Sequence, residues 1–335
     1  MKKALLMVFA VAAMASCTTN EVVNLNQEAI GFDNAFIENT TRSTDLATIT
    51  KNTLDSFQVY GTTQGDEVGA VLVPIYDYVT VEDKEAAVDA WDWQYAIEYV
   101  QYWIPGNTYN FAAVKNADKA NITLGDDLLP KTIAFASDDN TDLLYARSSA
   151  DIVGLASSNP AVEFSFDHLL SKVFFTFENQ ITTNVSGNAY YYRISDVKIT
   201  NAYKEATYTV ATNSWSNHAN AAEVQFGHIT EEGMAEATKV GAIGSSDSAT
   251  SQYARLLIPA KYGDATIEAL NITCTIETLL NGSVVDTQAY NNDVDVTLEP
   301  GRAYNFVISK GNPGELIQFT VTSVNGWVNG GNVNE

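Results

Sequence analysis

The chain has 335 residues, 46% of them hydrophobic and 11% aromatic, which is enough for about two domains and too apolar for a disordered protein. Its 18 Lys and Arg residues stand against 41 Asp and Glu residues, giving a formal net charge of −23. This balance excludes the basic surface that binding to nucleic acid or docking of the folded body on an anionic lipid surface requires.

The first 16 residues, MKKALLMVFAVAAMAS, combine two lysines with a short apolar stretch and small residues, which is typical of a secretory signal. The apolar stretch is too short for a permanent transmembrane helix. Cys17 follows directly in MASC, which is similar to a bacterial lipobox with Met14 in place of the usual Leu. We therefore expect residues 1–16 to be removed and Cys17 to carry the acyl chain. The alternative is a soluble secreted protein cleaved nearby.

A first strand is predicted around Ile30, Phe32 and Phe36, where apolar residues precede the polar stretch ENTTRSTD. Arg42 is the single basic residue of that stretch, and a turn-prone polar linker is accessible to a trypsin-like protease. An ordinary solvated linker residue is the other interpretation of Arg42.

Period-two alternation of apolar and polar residues recurs along the rest of the chain and predicts short strands separated by Asn, Gly, Ser and Asp turns. The predicted strands include LDSFQVYG, AVLVPIYDY, WDWQYAIEYVQYW, DLLYARS, VEFSFDH, KVFFTFEN, YYYRISDVKIT, QYARLLIPA, AYNFVIS and IQFTVTSV. In WDWQYAIEYVQYW the alternation places Trp91, Trp93 and Trp103 on one face, which favours a buried sheet face over an exposed platform for stacking sugars. Only VEDKEAAVDA and EEGMAEATK predict a helical turn or two.

One frame, PGxxYNFxxxK, occurs twice, beginning at Pro105 and at Pro300. Pro and Gly favour a tight turn, and the aromatic residues that follow favour a strand. The stretch SADIVGLASSNPAVE interrupts the strand pattern between the two copies. We therefore predict an all-β chain of two similar antiparallel β-sandwiches, residues 43–158 and residues 159–335.

The sequence offers little for catalysis or for metal binding. It has three histidines, without an HExxH pair, a GxSxG elbow or a Gly-rich phosphate loop. His168 lies between two predicted strands, where a structural role is expected. Asp138, Asp139 and Asp142 form an acidic loop that lacks the Gly and the distal Glu of an EF-hand, so a solvated loop is expected. Cys274 alternates with Ile272 and Ile276 as a small core residue. No enzyme activity, cofactor or metal is predicted.

Taken in order, several motifs resemble the fimbrillin-like family, the subunits of type V pili of Gram-negative bacteria. They are the lipobox at Cys17, IGF followed by TTRST and FQVYG, then YWIPGNTYNFAAV, DLLYARS, FDHLLSKVFFTF, LEPGRAYNFVISKG and IQFTVTSVNGWVNGG. The resemblance implies two transthyretin-like β-sandwich domains and export as an acylated (palmitate-type) lipoprotein to the outer membrane and cell surface.

The resemblance further implies that an arginine-specific protease cuts between Arg42 and Ser43. Loss of residues 17–42 would remove the lipid together with the strand of Ile30, Phe32 and Phe36. The strand lost would be replaced by an extended segment of another pilus subunit.

The C-terminal end leaves two alternatives. The strand of Ile317, Phe319, Val321 and Trp327 is followed only by the polar NGGNVNE. It is either a donor strand or the last strand of its own domain, and the second case, which we favour, implies a tip or accessory subunit. Other pilus subunits, the protease, the outer membrane and a host protein or glycan are then the expected partners. A surface glycan-binding lipoprotein that keeps its first strand is the alternative function.

Overall fold

The computed structural model describes residues 28–37, 54–84, 93–180, 190–230, 248–251, 253–281, 283–312 and 314–324. The strands before residue 170 are β1 Phe32–Ile37, β2 Ser56–Gln64, β3 Val73–Asp83, β4 Trp93–Gln94, β5 Thr108–Lys115, β6 Ile122–Leu124, β7 Pro130–Ala136, β8 Leu144–Arg147, β9 Ile152–Val153 and β10 Val162–His168. The later strands are β11 Ser171–Asn179, β12 Tyr190–Thr209, β13 Ser214–Thr230, β14 Ser248–Ser251, β15 Arg255–Leu257, β16 Lys261–Tyr262, β17 Leu270–Leu280, β18 Ser283–Val294, β19 Val296–Thr297, β20 Ala303–Lys310 and β21 Ile317–Val324.

The helical elements in these ranges are three 3₁₀ turns, Ile97–Tyr99, Lys119–Asn121 and Val210–Thr212. None of the helices described is long and apolar enough to cross a membrane. The all-β fold class predicted from the alternation is confirmed. Most of the two segments predicted to be helical lies outside the described residues.

The first sheet has the strand order β1-β10-β8-β5-β2-β3-β4, with β9 paired to β5. Its pairs are antiparallel except for β1 and β10, which run parallel. Alternate residues of these strands point to one face and bury a core rich in aromatic rings. Phe57, Phe111, Phe164 and Phe166 are fully buried in this first core.

The second sheet has the order β18-β17-β12-β13-β14-β11-β20-β21, and β16 and β19 form a separate small pair. Here β11 and β20 run parallel. The second core contains Phe175, Phe226 and Phe306, together with Cys274, which is 3% exposed. The small core role predicted for Cys274 is confirmed, and burial raises the pKa of its thiol to about 12.

The two cores are joined by a third cluster of buried side chains. Tyr60, Val114 and Tyr145 reach it from the first sheet, while Ile133 and Tyr208 reach it from the second. The third cluster therefore contains buried side chains from both sheets.

The division of strands between sheets differs from the boundary expected between residues 158 and 159. β10 follows that boundary but pairs with β1 and β8 of the first sheet, because Val162, Phe164 and Phe166 fill the first core. The β6–β7 hairpin precedes the boundary but joins the second sheet through β12. The chain therefore crosses between the sheets three times.

The prediction of one strand across WDWQYAIEYVQYW was wrong. The chain forms the two-residue strand β4, then the 3₁₀ turn Ile97–Tyr99, and then a single bridge from Tyr102 to Ala29. Since the turn breaks the alternation, Ile97 is 85% exposed, whereas Trp93 and Trp103 are buried in the first core.

The two PGxxYNF frames form the same local structure. Gly106 and Gly301 have φ values of 86° and 68°, which glycine adopts without strain. In the first copy, the backbone N–H of Ile104 donates to the Tyr109 hydroxyl over 2.7 Å. In the second copy, the N–H of Glu299 donates to the Tyr304 hydroxyl over 2.8 Å. The frame recurs because its tyrosine accepts the N–H that the preceding turn leaves unpaired.

We expect Tyr109→Phe and Tyr304→Phe each to lower the free energy of unfolding by about 1–2 kcal/mol, because a backbone N–H loses its acceptor. Urea unfolding followed by fluorescence measures the effect. Tyr253→Phe is the matched control, since Tyr253 is 41% exposed and should change stability little. Equal effects of all three variants would contradict this role of the frame.

Candidate functional site: the N-terminal ribbon and its slot

Residues 28–37, which we call the N-terminal ribbon, lie between residues 101–103 and β10. On one side, the N–H of Ile30 donates to the carbonyl of Gln101 over 2.9 Å, and the N–H of Trp103 donates to the carbonyl of Glu28 over 3.0 Å. This side of the ribbon is therefore paired with the chain that follows β4.

The other side of the ribbon pairs with β10. The N–H of Val162 donates to the carbonyl of Gly31 over 2.8 Å. The parallel register then runs from Phe32 opposite Val162 to Ile37 opposite Phe166, with an irregularity between Asp33 and Phe36. The ribbon thus connects strand segments from opposite ends of the first sheet, and we call the space it fills the slot.

The side chains of the ribbon complete the first core. Ile30, Phe32 and Ala35 are 1%, 5% and 1% exposed. The Phe32 ring lies 5.6 Å from both the Tyr76 and Tyr95 rings, centroid to centroid. It also stacks on Phe164 at 5.9 Å and meets Phe111 at 6.2 Å. Four aromatic rings therefore enclose Phe32, and a large apolar side chain is needed to fill this position.

Polar contacts fix the ribbon where it enters the slot. The Tyr95 hydroxyl donates to the carbonyl of Ile30 over 2.6 Å, and the Tyr76 hydroxyl donates to that of Tyr95 over 3.3 Å. Burial raises the pKa of Tyr76 far above its ordinary value, so this hydroxyl stays neutral. The N–H of Asn159 donates to the Glu28 carboxylate over 2.7 Å.

Among the residues predicted from sequence, Ile30 and Phe32 lie together in the slot. Phe36 belongs to β1, but its side chain is outside the described residues. Ile317, Phe319 and Val321 lie apart from the slot, half-buried on β21 against the second core. Cys17, Arg42, Ser43 and Trp327 lie outside the described residues.

The residues that hold the ribbon, above all Tyr76, Tyr95 and Asn159, are not indicated by the sequence pattern. Tyr95 did appear in the aromatic alternation of residues 91–103, but that pattern does not distinguish a ring that holds another segment from an ordinary core ring. Asn159 appeared only as part of a predicted seam. Pairings across more than 60 residues leave no local signal.

The acidic loop takes part in structural contacts. Asp139 pairs with Lys204, and Asp142 pairs with His168, which is 6% exposed. Asp138 accepts the N–H of Thr141. Within the described ranges, no three His, Cys, Asp or Glu side chains are grouped to hold a metal ion.

Comparison with known proteins identifies the class of this fold. A family described as fimbrillin-like matches residues 41–327. The crystal structure of a fimbrial protein from Bacteroides vulgatus ATCC 8482 is similar, with a TM-score of 0.59 at 16% identity, covering 90% of this chain and 99% of that one. The tip fimbrial protein Mfa3 from Porphyromonas gingivalis, truncated at its C-terminus, gives a TM-score of 0.42 at 10% identity over 90% of this chain and all of that chain (100%). No curated protein sequence matches significantly.

We expect Phe32→Ala to destabilise the first domain by about 3–5 kcal/mol, because it empties the space between four rings. Urea unfolding followed by tryptophan fluorescence reports this, since Trp93 and Trp103 lie in the first core. Asp33→Asn is the control, because Asp33 is an exposed residue of the same strand. A loss below about 1 kcal/mol would mean that the ribbon contributes little to the core.

Proposed function

This chain belongs to the fimbrillin-like family, and from that membership we propose that it is a non-enzymatic fimbrial subunit whose N-terminal ribbon is a removable strand. The observation that carries the proposal is the position of the ribbon. A segment at the very start of the described chain supplies Ile30 and Phe32 to the core of a domain formed by residues far along the sequence.

A single cut would separate the ribbon from that domain. Residues 38–53, which contain Arg42, connect the ribbon to the first described residue of the domain body, Leu54. After cleavage between Arg42 and Ser43, only non-covalent contacts retain the ribbon. Burial of Ile30 and Phe32 contributes roughly 1.5–3 kcal/mol each, or about 3–6 kcal/mol together, before entropic costs.

The empty slot would bind another extended chain. When the ribbon leaves, the N–H groups of Trp103 and Val162 and the carbonyl of Gln101 lose their hydrogen-bonding partners. Its departure also uncovers the ring of Phe164 and its aromatic neighbours. Unpaired backbone groups beside an apolar cleft favour the addition of a strand, and an extended segment of a neighbouring subunit restores both kinds of contact.

We propose that export to the cell surface precedes the replacement of the ribbon by a strand of another subunit. Cys17 is acylated and becomes the mature N-terminus, and the lipid holds the precursor at the outer membrane until an arginine-specific protease cuts after Arg42. Loss of residues 17–42 then removes the lipid and the ribbon in one step. The product is a surface subunit ready for assembly into a fimbria.

The position of β21 favours a subunit that accepts a strand without donating one. β21 pairs with β20 along all eight of its residues, from Ile317 opposite Lys310 to Val324 opposite Ala303. Ile317, Phe319 and Val321 pack against the second core. Because withdrawal of β21 would uncover its own domain, we assign this chain to a tip or accessory position, where a host protein or glycan is the outward partner.

We expect Arg42→Ala to leave residues 17–42 on the protein and to block incorporation into fimbriae. N-terminal sequencing of surface protein and of sheared fimbriae measures both effects. Arg147→Ala is the control, because Arg147 is a partly exposed arginine paired with Asp127 at the surface. Normal incorporation of Arg42→Ala with its N-terminal segment retained would refute strand removal and support the glycan-binding lipoprotein instead.

A synthetic peptide of residues 28–37 should bind the cleaved protein after its own ribbon has been removed, because it restores the contacts of the slot. The same peptide with Phe32→Ala should bind roughly 100-fold more weakly or worse, as expected for losing about 3 kcal/mol or more. Fluorescence anisotropy of a labelled peptide gives both affinities. Equal binding of the two peptides would show that the slot is not the acceptor.

A further inference from the structure

A groove of about 300 Å³ lies on the side of the first sheet, next to the slot. It forms because β4 pairs only with Glu82 and Asp83 of β3, after which the chain turns away in Ile97–Tyr99. β2 pairs with one edge of β3, and in the part of the chain that the structure describes no strand pairs with the opposite edge from Asp77 to Thr80. The groove is therefore bounded by the edge of β3 and by residues 94–99.

The groove combines aromatic surface with hydrogen-bonding side chains. Tyr99 is 47% exposed and Tyr95 is half-buried, so both can present ring surface to a ligand. Asp77, Thr80 and Gln94 are exposed around these rings and offer carboxylate, hydroxyl and amide groups. Its volume is at the lower end of small-molecule sites.

The charges around the groove are already paired. Lys84 forms an ion pair with Glu82, and Lys119 forms one with Asp77 over 2.8 Å. The groove therefore has little net charge to attract an ionic ligand. Its hydrogen-bonding groups can still bind the hydroxyls of a neutral ligand.

An extended peptide is poorly suited to this edge of β3. Tyr78 has a φ of 64° in the middle of the strand, which breaks the regular backbone. In addition, the carbonyl of Asp77 accepts a hydrogen bond from the Lys119 ammonium over 3.3 Å. An added peptide strand could therefore not form a continuous series of backbone hydrogen bonds with β3, because the series would be interrupted at Asp77 and at Tyr78.

A sugar ring fits the remaining chemistry, since it has an apolar C–H face for stacking on an aromatic ring and hydroxyls around its rim. We propose that this groove binds a neutral saccharide, with Tyr99 as the stacking surface and Asp77 and Gln94 as hydrogen-bonding partners. This site goes beyond the proposed role in assembly, because it does not require the ribbon to be removed.

Tyr95 connects the groove to the slot. The residue that lines the groove also donates its hydroxyl to the carbonyl of Ile30 and packs its ring against Phe32. Withdrawal of the ribbon frees Tyr95 from both contacts and changes one wall of the groove. Saccharide binding and occupancy of the slot are therefore coupled, and the coupling acts equally in both directions.

Calorimetric titration of the uncut chain tests the site. The probes are methyl β-galactoside, methyl α-mannoside, lactose and N,N′-diacetylchitobiose, with 3′-sialyllactose as a charged sugar and an alternating Val–Thr octapeptide as an extended peptide. We expect at least one neutral probe to bind. Tyr99→Ala should weaken that binding roughly tenfold, about 1.4 kcal/mol, and Gln94→Ala should weaken it several-fold.

Tyr253→Ala is the matched control, since it removes a similarly exposed tyrosine from the second domain and should leave the Kd unchanged. Urea midpoints of all variants distinguish lost binding from lost folding. The proposal would be overturned if none of the neutral probes bound, or if only the charged sugar or the peptide bound. It would also be overturned if the Tyr99→Ala protein were folded and bound the saccharide as the wild type does.

Tyr95→Phe tests the coupling in the same uncut chain. It keeps the ring but removes the hydrogen bond to the Ile30 carbonyl, so the Kd for the saccharide should rise several-fold, whereas an unchanged Kd would contradict the coupling. Since neither titration depends on cleavage at Arg42, failure of the assembly proposal and failure of the groove proposal give different results.

Discussion

The first sheet depends on one constraint, which is that buried backbone groups and aromatic rings must have partners. Apart from the ribbon, this sheet ends at β10 on one side and at the chain beyond β4 on the other, and each end presents hydrogen-bonding groups to the space between them. The ribbon satisfies both ends at once and places Phe32 among four rings. The first core is therefore complete only when an extended segment occupies the slot.

The second sheet is completed at one edge by a strand close to it in sequence. Its last strand, β21, comes from the chain's own C-terminal part and pairs along its whole length with β20. The two sheets share the PGxxYNF frame and its tyrosine hydrogen bond. However, β5 lies between the antiparallel strands β2 and β8, whereas β20 lies between the parallel strand β11 and the antiparallel strand β21. The shared frame therefore specifies a turn and a strand, while the surrounding strands specify the sheet.

Local patterns predicted much of the secondary structure because alternation is a property of each strand alone. The strand containing Phe164 follows the predicted alternation, whereas the strands containing Phe57 and Phe175 also bury consecutive residues. The two frame turns have the expected glycine conformation. The strand partners were not predictable, since β1 pairs with a strand about 130 residues later. For the same reason, the sequence gives no sign of the contact between Tyr95 and Ile30. Ile97 and Tyr99 continue the alternating pattern of a strand, although they form a 3₁₀ turn.

The parallel register of β1 with β10 also determines how the first domain responds to force. The ribbon begins beside Val162, at the end of β10 away from the second sheet, and reaches Phe166, close to where the chain passes into β11. Tension applied to the residues that precede Glu28 would therefore act along the strand axis and strain its hydrogen bonds simultaneously. Under such shear loading several hydrogen bonds must break together, whereas peeling breaks them one at a time.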